Sequence, residues 1–306
     1  MKLGFLTACM PERTLAEVAT WAGRNRFAAL EVACWPPSTD RDFQAAHLDV
    51  ARFTTADAER TRELMAEHAL EISALGYYEN NLHHDPDVRE AVNNHVKACV
   101  DAASLLGVEL VGTFIGRDLG KSVSENLVEG RRMLPELLDY AGERGVKLVI
   151  ENCPMEGWGP DGYPANLAYS PELWEWMFDL GFYLNYDPSH LVWLGIDPVE
   201  ALKPHVSKVL HMQAKDTQLD PAARNRYSIF GKSVSRDSGW DVGWWRYRVP
   251  GLGDVDWRRV IDTLYEGGYS GAVSIEHEDP VWGGSPDRIE AGLRVAQRTL
   301  EPLLVT

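Results

Sequence analysis

Acidic and imidazole side chains stand at the ends of apolar segments in this sequence. Glu151 and Asn152 follow the run "KLVI", and Asp187 and His190 follow or lie just past the run "FYLNY". An Asp before a proline is typical of a turn, because the residue preceding proline avoids the helical region. Carboxylate and neutral imidazole groups are also good ligands for a divalent cation. The segment "YDPSH" therefore fits either a turn or a metal site.

Two further segments place polar residues on one face of a predicted strand. In "HMQAKD", the polar His211, Gln213 and Lys215 alternate with two apolar residues. In "VSIEHED", Glu276 and Glu278 share a face in the same way. Side chains at every second position of a strand point in the same direction. Each segment thus delivers several polar groups to one side of the sheet.

The elements that must position these residues are short apolar segments alternating with longer amphipathic ones. Eight strands in strict alternation with helices imply parallel pairing and right-handed crossovers, and they predict a closed (β/α)8 barrel. A doubly wound open sheet is the alternative, but "FLTACMPERT" lacks the glycine-rich phosphate loop usual after its first strand. The predicted strands are Lys2–Ala8, Phe27–Cys34, Leu70–Tyr77, Val108–Ile115, Lys147–Cys153, Phe182–Tyr186, Val206–Ala214 and Gly271–His277. The predicted helices are Thr14–Arg24, Thr55–Glu67, Asp87–Leu106, Ser124–Gly142, Pro171–Asp179, Asp197–Leu202, Asp256–Glu266 and Asp287–Leu300.

No Pro/Gly/Ser-rich linker divides the chain, so we expect one domain over residues 1–306. One long irregular stretch, Thr217–Asp254, follows the seventh predicted strand. Loops of this length in a compact domain are usually lids or binding loops. Because it leaves the carboxyl end of a barrel strand, we expect it to cover the active site.

In a barrel, the polar strand ends converge on one point. An acid there is costly unless it is paired or binds a metal. Taken alone, each of these residues is more typical of a salt-bridged acid or a turn. Together, four successive strand ends predict a site for Mn²⁺, Mg²⁺ or Zn²⁺. The predicted ligands are Glu151, Asp187, Gln213 or His211, and Glu276.

Composition excludes some classes of partner. The chain has 306 residues, 45% of them hydrophobic, and a formal net charge of -16. Nucleic acids and anionic membranes both require a basic surface, so neither is expected as a partner. The N-terminal apolar run is too short for a signal peptide, and the cysteines form no paired motif. We therefore expect a cytoplasmic protein with four reduced thiols, Cys9, Cys34, Cys99 and Cys153.

Five segments together resemble the xylose-isomerase-like barrel superfamily: "IEN", "YDPSH", "HMQAKD", "PGLGDVDW" and "GYSGAVSIEHED". That group includes ketose 3-epimerases, sugar-phosphate isomerases and epimerases, inosose isomerases and dehydratases, and endonuclease IV. The resemblance implies one divalent cation held by Glu151, Asp187, Gln213 and Glu276. The superfamily normally has His at the position of Gln213. An amide oxygen is a harder donor than imidazole, so Mn²⁺ is favoured over Zn²⁺, with Mg²⁺ and Co²⁺ also compatible.

The resemblance also implies a reaction. A cation that bridges a carbonyl and a neighbouring hydroxyl acidifies the C–H between them by stabilising an enediolate. Glu151 and Glu276 would remove and return the proton, giving an isomerase or epimerase. A lyase remains open, either an inosose dehydratase or an enzyme that eliminates from a 3-keto-glycoside. A non-catalytic sugar-binding barrel also remains open because of Gln213. Endonuclease IV is disfavoured by the acidic charge.

The substrate class is predicted from polar and aromatic residues near the strand ends. His190 resembles the superfamily's substrate-binding histidine, and His211 is a substitute ligand or a substrate contact. Lys215 and Arg248 are candidate contacts to hydroxyl or carboxylate groups. The chain has 11 Trp, many of them in predicted loops, and flat aromatic faces suit a sugar or cyclitol. We expect these tryptophans, including Trp35, Trp193 and Trp240, either to contact substrate or to pack the loops, and we expect a homodimer or tetramer.

Overall fold

Eight parallel strands close into a barrel in a computed structural model of the chain, which describes residues 1–37, 45–158, 164–237 and 241–305. The strands follow one another around the barrel in chain order, and the first strand pairs with the last. This confirms the predicted (β/α)8 barrel. The barrel strands are β1 (Lys2–Leu6), β2 (Ala29–Ala33), β3 (Glu71–Gly76), β4 (Leu110–Thr113), β5 (Lys147–Glu151), β6 (Tyr183–Tyr186), β7 (Val209–Ala214) and β10 (Ala272–Ile275).

Helices follow the strands and cover the outside of the barrel. Several begin at a Ser, Thr or Asp whose side chain accepts a hydrogen bond from a backbone N–H of the first turn. Thr14, Thr54 and Ser122 each form a complete capping box. The α-helices are α1 (Leu15–Arg24), α2 (Thr55–Glu67), α3 (Pro86–Leu106), α4 (Val123–Met133), α5 (Pro135–Gly142), α6 (Pro171–Leu180), α7 (Pro188–Leu194), α8 (Pro198–Leu202), α9 (Pro221–Tyr227), α10 (Trp257–Glu266) and α11 (Pro286–Leu300).

The structure differs from the predicted elements at three places. The predicted helix Ser124–Gly142 is two helices, because Pro135 cannot continue the hydrogen-bond ladder of the first. A short helix, α7, begins directly after Asp187, whose Oδ1 accepts a hydrogen bond from the Ser189 N–H at 2.8 Å. The segment "YDPSH" is thus a helix start as well as a strand end.

The third difference is in the stretch Thr217–Asp254, which is more ordered than its sequence suggests. Strands β8 (Asp216–Leu219) and β9 (Trp245–Arg248) form an antiparallel two-stranded sheet, which we call the hairpin. The helix α9 lies between these two strands in the chain. Part of this stretch, including Trp240, lies outside the described residues. The hairpin lies over the carboxyl end of the barrel.

The interior of the barrel is polar at several positions. Small residues make room for larger polar ones across the lumen: a Cβ at Gly112 would collide with the phenol of Tyr78. Glu31, Asn185 and His211 are all fully buried inside this space. The apolar core lies instead between the strands and the surrounding helices. Within the described ranges, no helix combines the length and the apolar character needed to cross a bilayer.

Candidate metal centre

Glu151, Asp187 and Glu276 come together at the carboxyl ends of three barrel strands. One oxygen atom from each lies within 4.8 Å of the others, and all three residues are buried. Glu151 is the last residue of β5, while Asp187 and Glu276 directly follow β6 and β10. We call these three residues the acid centre. The structure therefore brings together three of the four predicted ligands.

Gln213, the fourth predicted ligand, belongs to the layer of side chains below. Its Nε2 donates to Glu31 Oε1 at 3.1 Å and to Tyr78 Oη at 3.2 Å. Its Oε1 is buried and has no hydrogen-bond partner among the described residues. The amide is thus held by its nitrogen while its carbonyl oxygen is left unsatisfied. A buried oxygen in this state suits coordination of a cation.

Glu31 anchors this lower layer. It accepts hydrogen bonds from the Tyr78 hydroxyl, from Gln213 and, at 2.8 Å, from Ser274 Oγ. We call Glu31, Tyr78, Gln213 and Ser274 the Glu31 network. Asn185 joins it by donating to Tyr78 Oη at 2.9 Å.

Lys215 lies among the acids. Its Nζ is 2.8 Å from Glu276 Oε2 and 3.0 Å from Glu278 Oε2. A third oxygen, Asp187 Oδ2, is 3.4 Å away. Burial acts to lower the pKa of Lys215, but the surrounding carboxylates outweigh it and raise the pKa well above its ordinary value. Lys215 is therefore a permanent cation beside the acid centre.

The three acids differ in how readily they ionise. Burial raises the pKa of Glu151 well above its ordinary value, and the negative charge of Glu276 raises it further. Burial likewise raises the pKa of Glu276, although Lys215 opposes it. For Asp187, burial acts upward, but His190 and Lys215 outweigh it and lower the pKa. The surroundings thus favour the ionised form of Asp187, while burial favours the protonated form of both glutamates.

His190 joins the acid centre to residues that the sequence did not indicate. Its Nε2 lies 3.1 Å from Glu151 Oε1 and 3.1 Å from Asp187 Oδ2, and its Nδ1 lies 2.9 Å from Tyr247 Oη. Tyr247 Oη is in turn 3.4 Å from Glu156 Oε1. Burial raises the pKa of Glu156 to about 7. Glu156 follows an irregular segment without periodicity, so no sequence signal marked it.

The structure does not bring His211 to the acid centre. Its Nδ1 lies 3.0 Å from Asn185 Oδ1, and its Nε2 lies 3.0 Å from Ser73 Oγ. Both ring nitrogens are therefore used by neighbours inside the barrel, one layer below Gln213 on β7. His211 is therefore linked through Asn185 to Tyr78, which also accepts a hydrogen bond from Gln213.

A cavity of about 1870 Å³ opens above the acid centre. Glu151, Lys215 and Glu276 lie on its wall, and so does the predicted contact Trp35. Further aromatic side chains form the rest of its apolar surface: Tyr78, Phe114, Trp158, Trp244, Trp245 and Tyr247. The cavity therefore combines a charged end with an aromatic wall, as in sites that bind sugars.

Two predicted substrate contacts support the hairpin and are not part of the cavity wall that the described residues form. Trp193 stacks on Trp245 with ring centroids 4.6 Å apart and an interplanar angle of 8°. Arg248 donates through Nε to Asp279 Oδ2 at 2.8 Å. Residues alternate in β9, so Tyr247 faces His190 while Arg248 faces the loop after β10. The sequence indicated Arg248, in a stretch predicted to be irregular, and did not indicate its neighbour Tyr247.

Comparison with known sequences places the fold and the site in context. Residues 21–299 match a family model described as xylose isomerase-like TIM barrel. The uncharacterized protein YfiH of Bacillus subtilis is 25% identical over an alignment of 324 positions, which spans 98% of each chain. An inosose dehydratase of Clostridium perfringens is 29% identical over 164 residues, covering 51% of this chain and 48% of that enzyme. The chain thus aligns with about half of that dehydratase.

Solved structures of low identity share the fold. The IolI protein with a bound zinc atom superimposes with a TM-score of 0.70, at 18% identity and over 100% of both chains. A D-psicose 3-epimerase determined with D-fructose gives 0.68, at 14% identity over 98% of this chain and 99% of the epimerase. The 3-keto-D-glucoside 4-epimerase YcjR from E. coli gives 0.65, at 12% identity over 99% and 98%.

Proposed function

We propose that this chain, which belongs to the xylose isomerase-like TIM barrel family, is a divalent-metal-dependent isomerase or epimerase of a keto-sugar or cyclitol. The observation that carries the proposal is the acid centre, in which three carboxylates from three strands approach within 4.8 Å. Lys215 offsets only part of the negative charge of these buried carboxylates, and a divalent cation between them would offset the rest.

The residues present fit such a cation. Glu151, Asp187 and Glu276 supply carboxylate oxygens, and Gln213 supplies an amide oxygen that has no other partner among the described residues. An all-oxygen set is typical of Mn²⁺ or Mg²⁺, and we propose Mn²⁺. When bound, the cation polarises a substrate carbonyl and a neighbouring hydroxyl, and so acidifies the C–H between them.

Two glutamates carry the proton. Glu151 and Glu276 come from β5 and from the end of β10, and both have pKa values raised by burial. A bound cation would lower these pKa values again, so that each carboxylate can take up a proton and give it back. One glutamate removes the proton and the other returns it. Return to the opposite face of the same carbon is epimerisation, and return to the adjacent carbon is isomerisation.

Neighbouring groups orient the substrate and exclude water. Lys215 lies on the cavity wall and would donate to substrate oxygens beside the acid centre, and Trp35 covers an apolar face of the ring. His190 is fully buried and instead holds Glu151 and Asp187 in place. The hairpin of β8 and β9 covers the reaction from solvent.

Four free, buried cysteines support a cytoplasmic location. We further propose that the protein is a homodimer or tetramer, and light scattering of the purified protein tests this.

Solvent isotope exchange tests the reaction. Metal-free protein is loaded with Mn²⁺ and incubated with keto-sugars and inososes in D₂O. We expect one deuterium to enter the carbon beside the carbonyl, in recovered substrate or in product, and we expect Glu151→Gln and Glu276→Gln to abolish it. Mn²⁺ bound without exchange into any of these compounds would leave a sugar-binding barrel instead of an enzyme.

A lyase in the same barrel is a second candidate because of Glu156. This buried carboxyl lines the cavity and has a pKa of about 7, so it is protonated in about half of the molecules at neutral pH. A third acid at this position can protonate a leaving hydroxyl once the glutamates of the acid centre have removed the C–H proton. Product analysis separates the two: a lyase yields a product lighter than its substrate by one water.

A further inference from the structure

Cys153 lies beside the acid centre, and the proposed reaction makes no use of it. It is buried, it follows Glu151 by two residues, and it lies on the cavity wall. Its Sγ, an oxygen of Glu151 and a ring nitrogen of His190 all lie within 4.8 Å of one another. We propose that these three residues form a second cation position, selective for a thiophilic ion such as Zn²⁺, Co²⁺ or Cd²⁺. We call it the sulfur position.

The donor set is the first argument. Thiolate, imidazole and carboxylate are the three ligand types that zinc uses in proteins, and three protein ligands leave a fourth place for water. The acid centre with Gln213 offers oxygen alone, which Mn²⁺ and Mg²⁺ prefer. The two positions therefore differ in the class of ion they select, although they share Glu151.

Burial and the carboxylates of Glu151 and Glu156 raise the pKa of Cys153, so the thiol gives up its proton only when a cation binds the sulfur. The Met155 N–H donates to Cys153 Sγ at 3.4 Å, and such a bond stabilises negative charge on sulfur. The Met155 Sδ lies 3.4 Å from the same sulfur and adds a soft thioether to the surroundings. Binding is balanced by loss of one proton: the S–H bond breaks, the sulfur–metal bond forms, and the proton leaves to solvent.

His190 is already held as a ligating histidine usually is. A histidine that binds metal through one nitrogen commonly donates its other N–H to an oxygen, which fixes the ring and its tautomer. Here Nδ1 lies 2.9 Å from Tyr247 Oη, and that hydroxyl is 3.4 Å from Glu156 Oε1. With Nδ1–H donated to Tyr247, the lone pair of Nε2 faces oxygens of Glu151 and Asp187, each 3.1 Å away, and a cation between these atoms would relieve their repulsion.

The shared glutamate has a consequence for catalysis. An ion in the sulfur position engages Glu151, which the proposed function needs as a proton carrier. Zn²⁺ or Cd²⁺ would then inhibit the enzyme while Mn²⁺ supports it. This consequence rests on the proposed function, whereas binding at the sulfur position does not.

Cobalt spectroscopy tests the binding. Metal-free full-length chain is titrated with Co²⁺, and we expect the near-ultraviolet charge-transfer absorption of a cobalt–thiolate bond. Cys153→Ser should lose this absorption and bind Zn²⁺ at least about 10-fold more weakly, with unchanged Mn²⁺ affinity. Cys9→Ser is the matched control, because Cys9 is another buried cysteine of the cavity wall and should leave the absorption intact. Asp187→Asn should lose Mn²⁺ binding and retain the absorption.

Two results would overturn the sulfur position: no charge-transfer absorption in the wild type at saturating Co²⁺, or the same absorption in Cys153→Ser. Zinc X-ray absorption on the wild type provides a reading that needs no variant. One sulfur in the first coordination shell is expected, and a shell of only oxygen and nitrogen would contradict it. A wild type with the cobalt–thiolate absorption but no deuterium exchange would refute the proposed function and leave the sulfur position standing.

Discussion

The acid centre and the Glu31 network are neighbouring layers of one barrel, and both are buried, yet their hydrogen bonding differs. Glu31 accepts from three donors on three different strands or loops: Tyr78, Gln213 and Ser274. The acid centre instead places three carboxyl groups around one lysine and one histidine. Glu31 finds its donors within the protein, whereas the acid centre has more acceptors than donors.

The comparison shows that an acid can be buried either for a structural reason or for a functional one. A buried acid that has all its donors stabilises a unique arrangement of the barrel. A buried acid without them costs free energy until a ligand compensates it. Burial alone therefore does not identify a site, but an incomplete set of partners does. Gln213 combines the two situations, because its amide nitrogen donates within the Glu31 network while its carbonyl oxygen has no hydrogen-bond partner among the described residues.

The largest expected effect comes from the acid centre. Glu276→Gln should lower the rate by about 10²- to 10⁴-fold, the usual contribution of one proton-transfer group. It should change the free energy of unfolding of the metal-free protein by no more than about 1 kcal/mol, because it removes one of three crowded acids. Deuterium exchange and thermal unfolding measure the two quantities. Glu278→Gln is the control, since Glu278 contacts Lys215 but lies outside the acid centre. A large loss of stability in Glu276→Gln would contradict the comparison.

The opposite pattern is expected in the Glu31 network. Glu31→Gln should lower the free energy of unfolding by about 2 kcal/mol. The new side-chain amide would place an NH₂ group against Tyr78, Gln213 or Ser274, each of which donates to Glu31. Chemical denaturation of the metal-free protein measures it. Glu63→Gln, at an exposed position on α2, serves as the control and should have almost no effect. If Glu31→Gln were as stable as the wild type, the lower layer would not be the structural one.

Stability should also depend on pH through Glu156. Its pKa rises from 4.5 in an ordinary environment to about 7 in the folded chain, because it is buried. The folded state thus binds the proton more tightly than the unfolded state. This contribution is fully present below pH 4.5 and is lost as the pH rises to 7, by about 3 kcal/mol at most. Glu156→Gln should remove that loss, as denaturation between pH 4.5 and 7.5 would reveal. An unchanged pH profile would contradict the shift.

The smallest expected effect belongs to the Tyr247 hydroxyl. Tyr247→Phe removes the group that links His190 to Glu156 and should lower the turnover rate by about 10-fold, the lower range for loss of a supporting contact. Thermal stability should barely change, because the ring and its packing remain. Tyr183→Phe, at the start of β6 and far along the strand from Asp187, is the matched control. Equal effects of the two substitutions would show that the hydroxyl does not position His190.

Much of the site followed from local pattern. The ends of β5, β6 and β10 each deliver an acid, and parallel strands in a closed barrel must bring such ends together. Glu151, Asp187 and Glu276 were therefore predictable from their positions after apolar runs. His190 and Lys215 were predictable for the same reason, as each lies within four residues of a strand end.

Other features had no local signal. Glu156 lies in an irregular segment, and its role depends on Tyr247, which is 91 residues away in the sequence. Trp193 and Arg248 lie outside the cavity wall that the described residues form, and their residue types gave no sign of this, because aromatic and cationic residues serve packing and recognition equally well. The sequence did not predict helix α7, because Asp187, which caps this helix, was interpreted as a strand end or a turn.

The sequence by itself determined the order of the elements, the closed barrel and the acids at its strand ends, because these depend on periodicity, capping and parallel pairing. Only the tertiary structure decided which polar residues were satisfied. His211 and Gln213 stand two residues apart on one face of β7, yet His211 has both nitrogens bonded and Gln213 keeps an unsatisfied oxygen. That distinction depends on donors contributed by distant strands, and no local pattern encodes their positions.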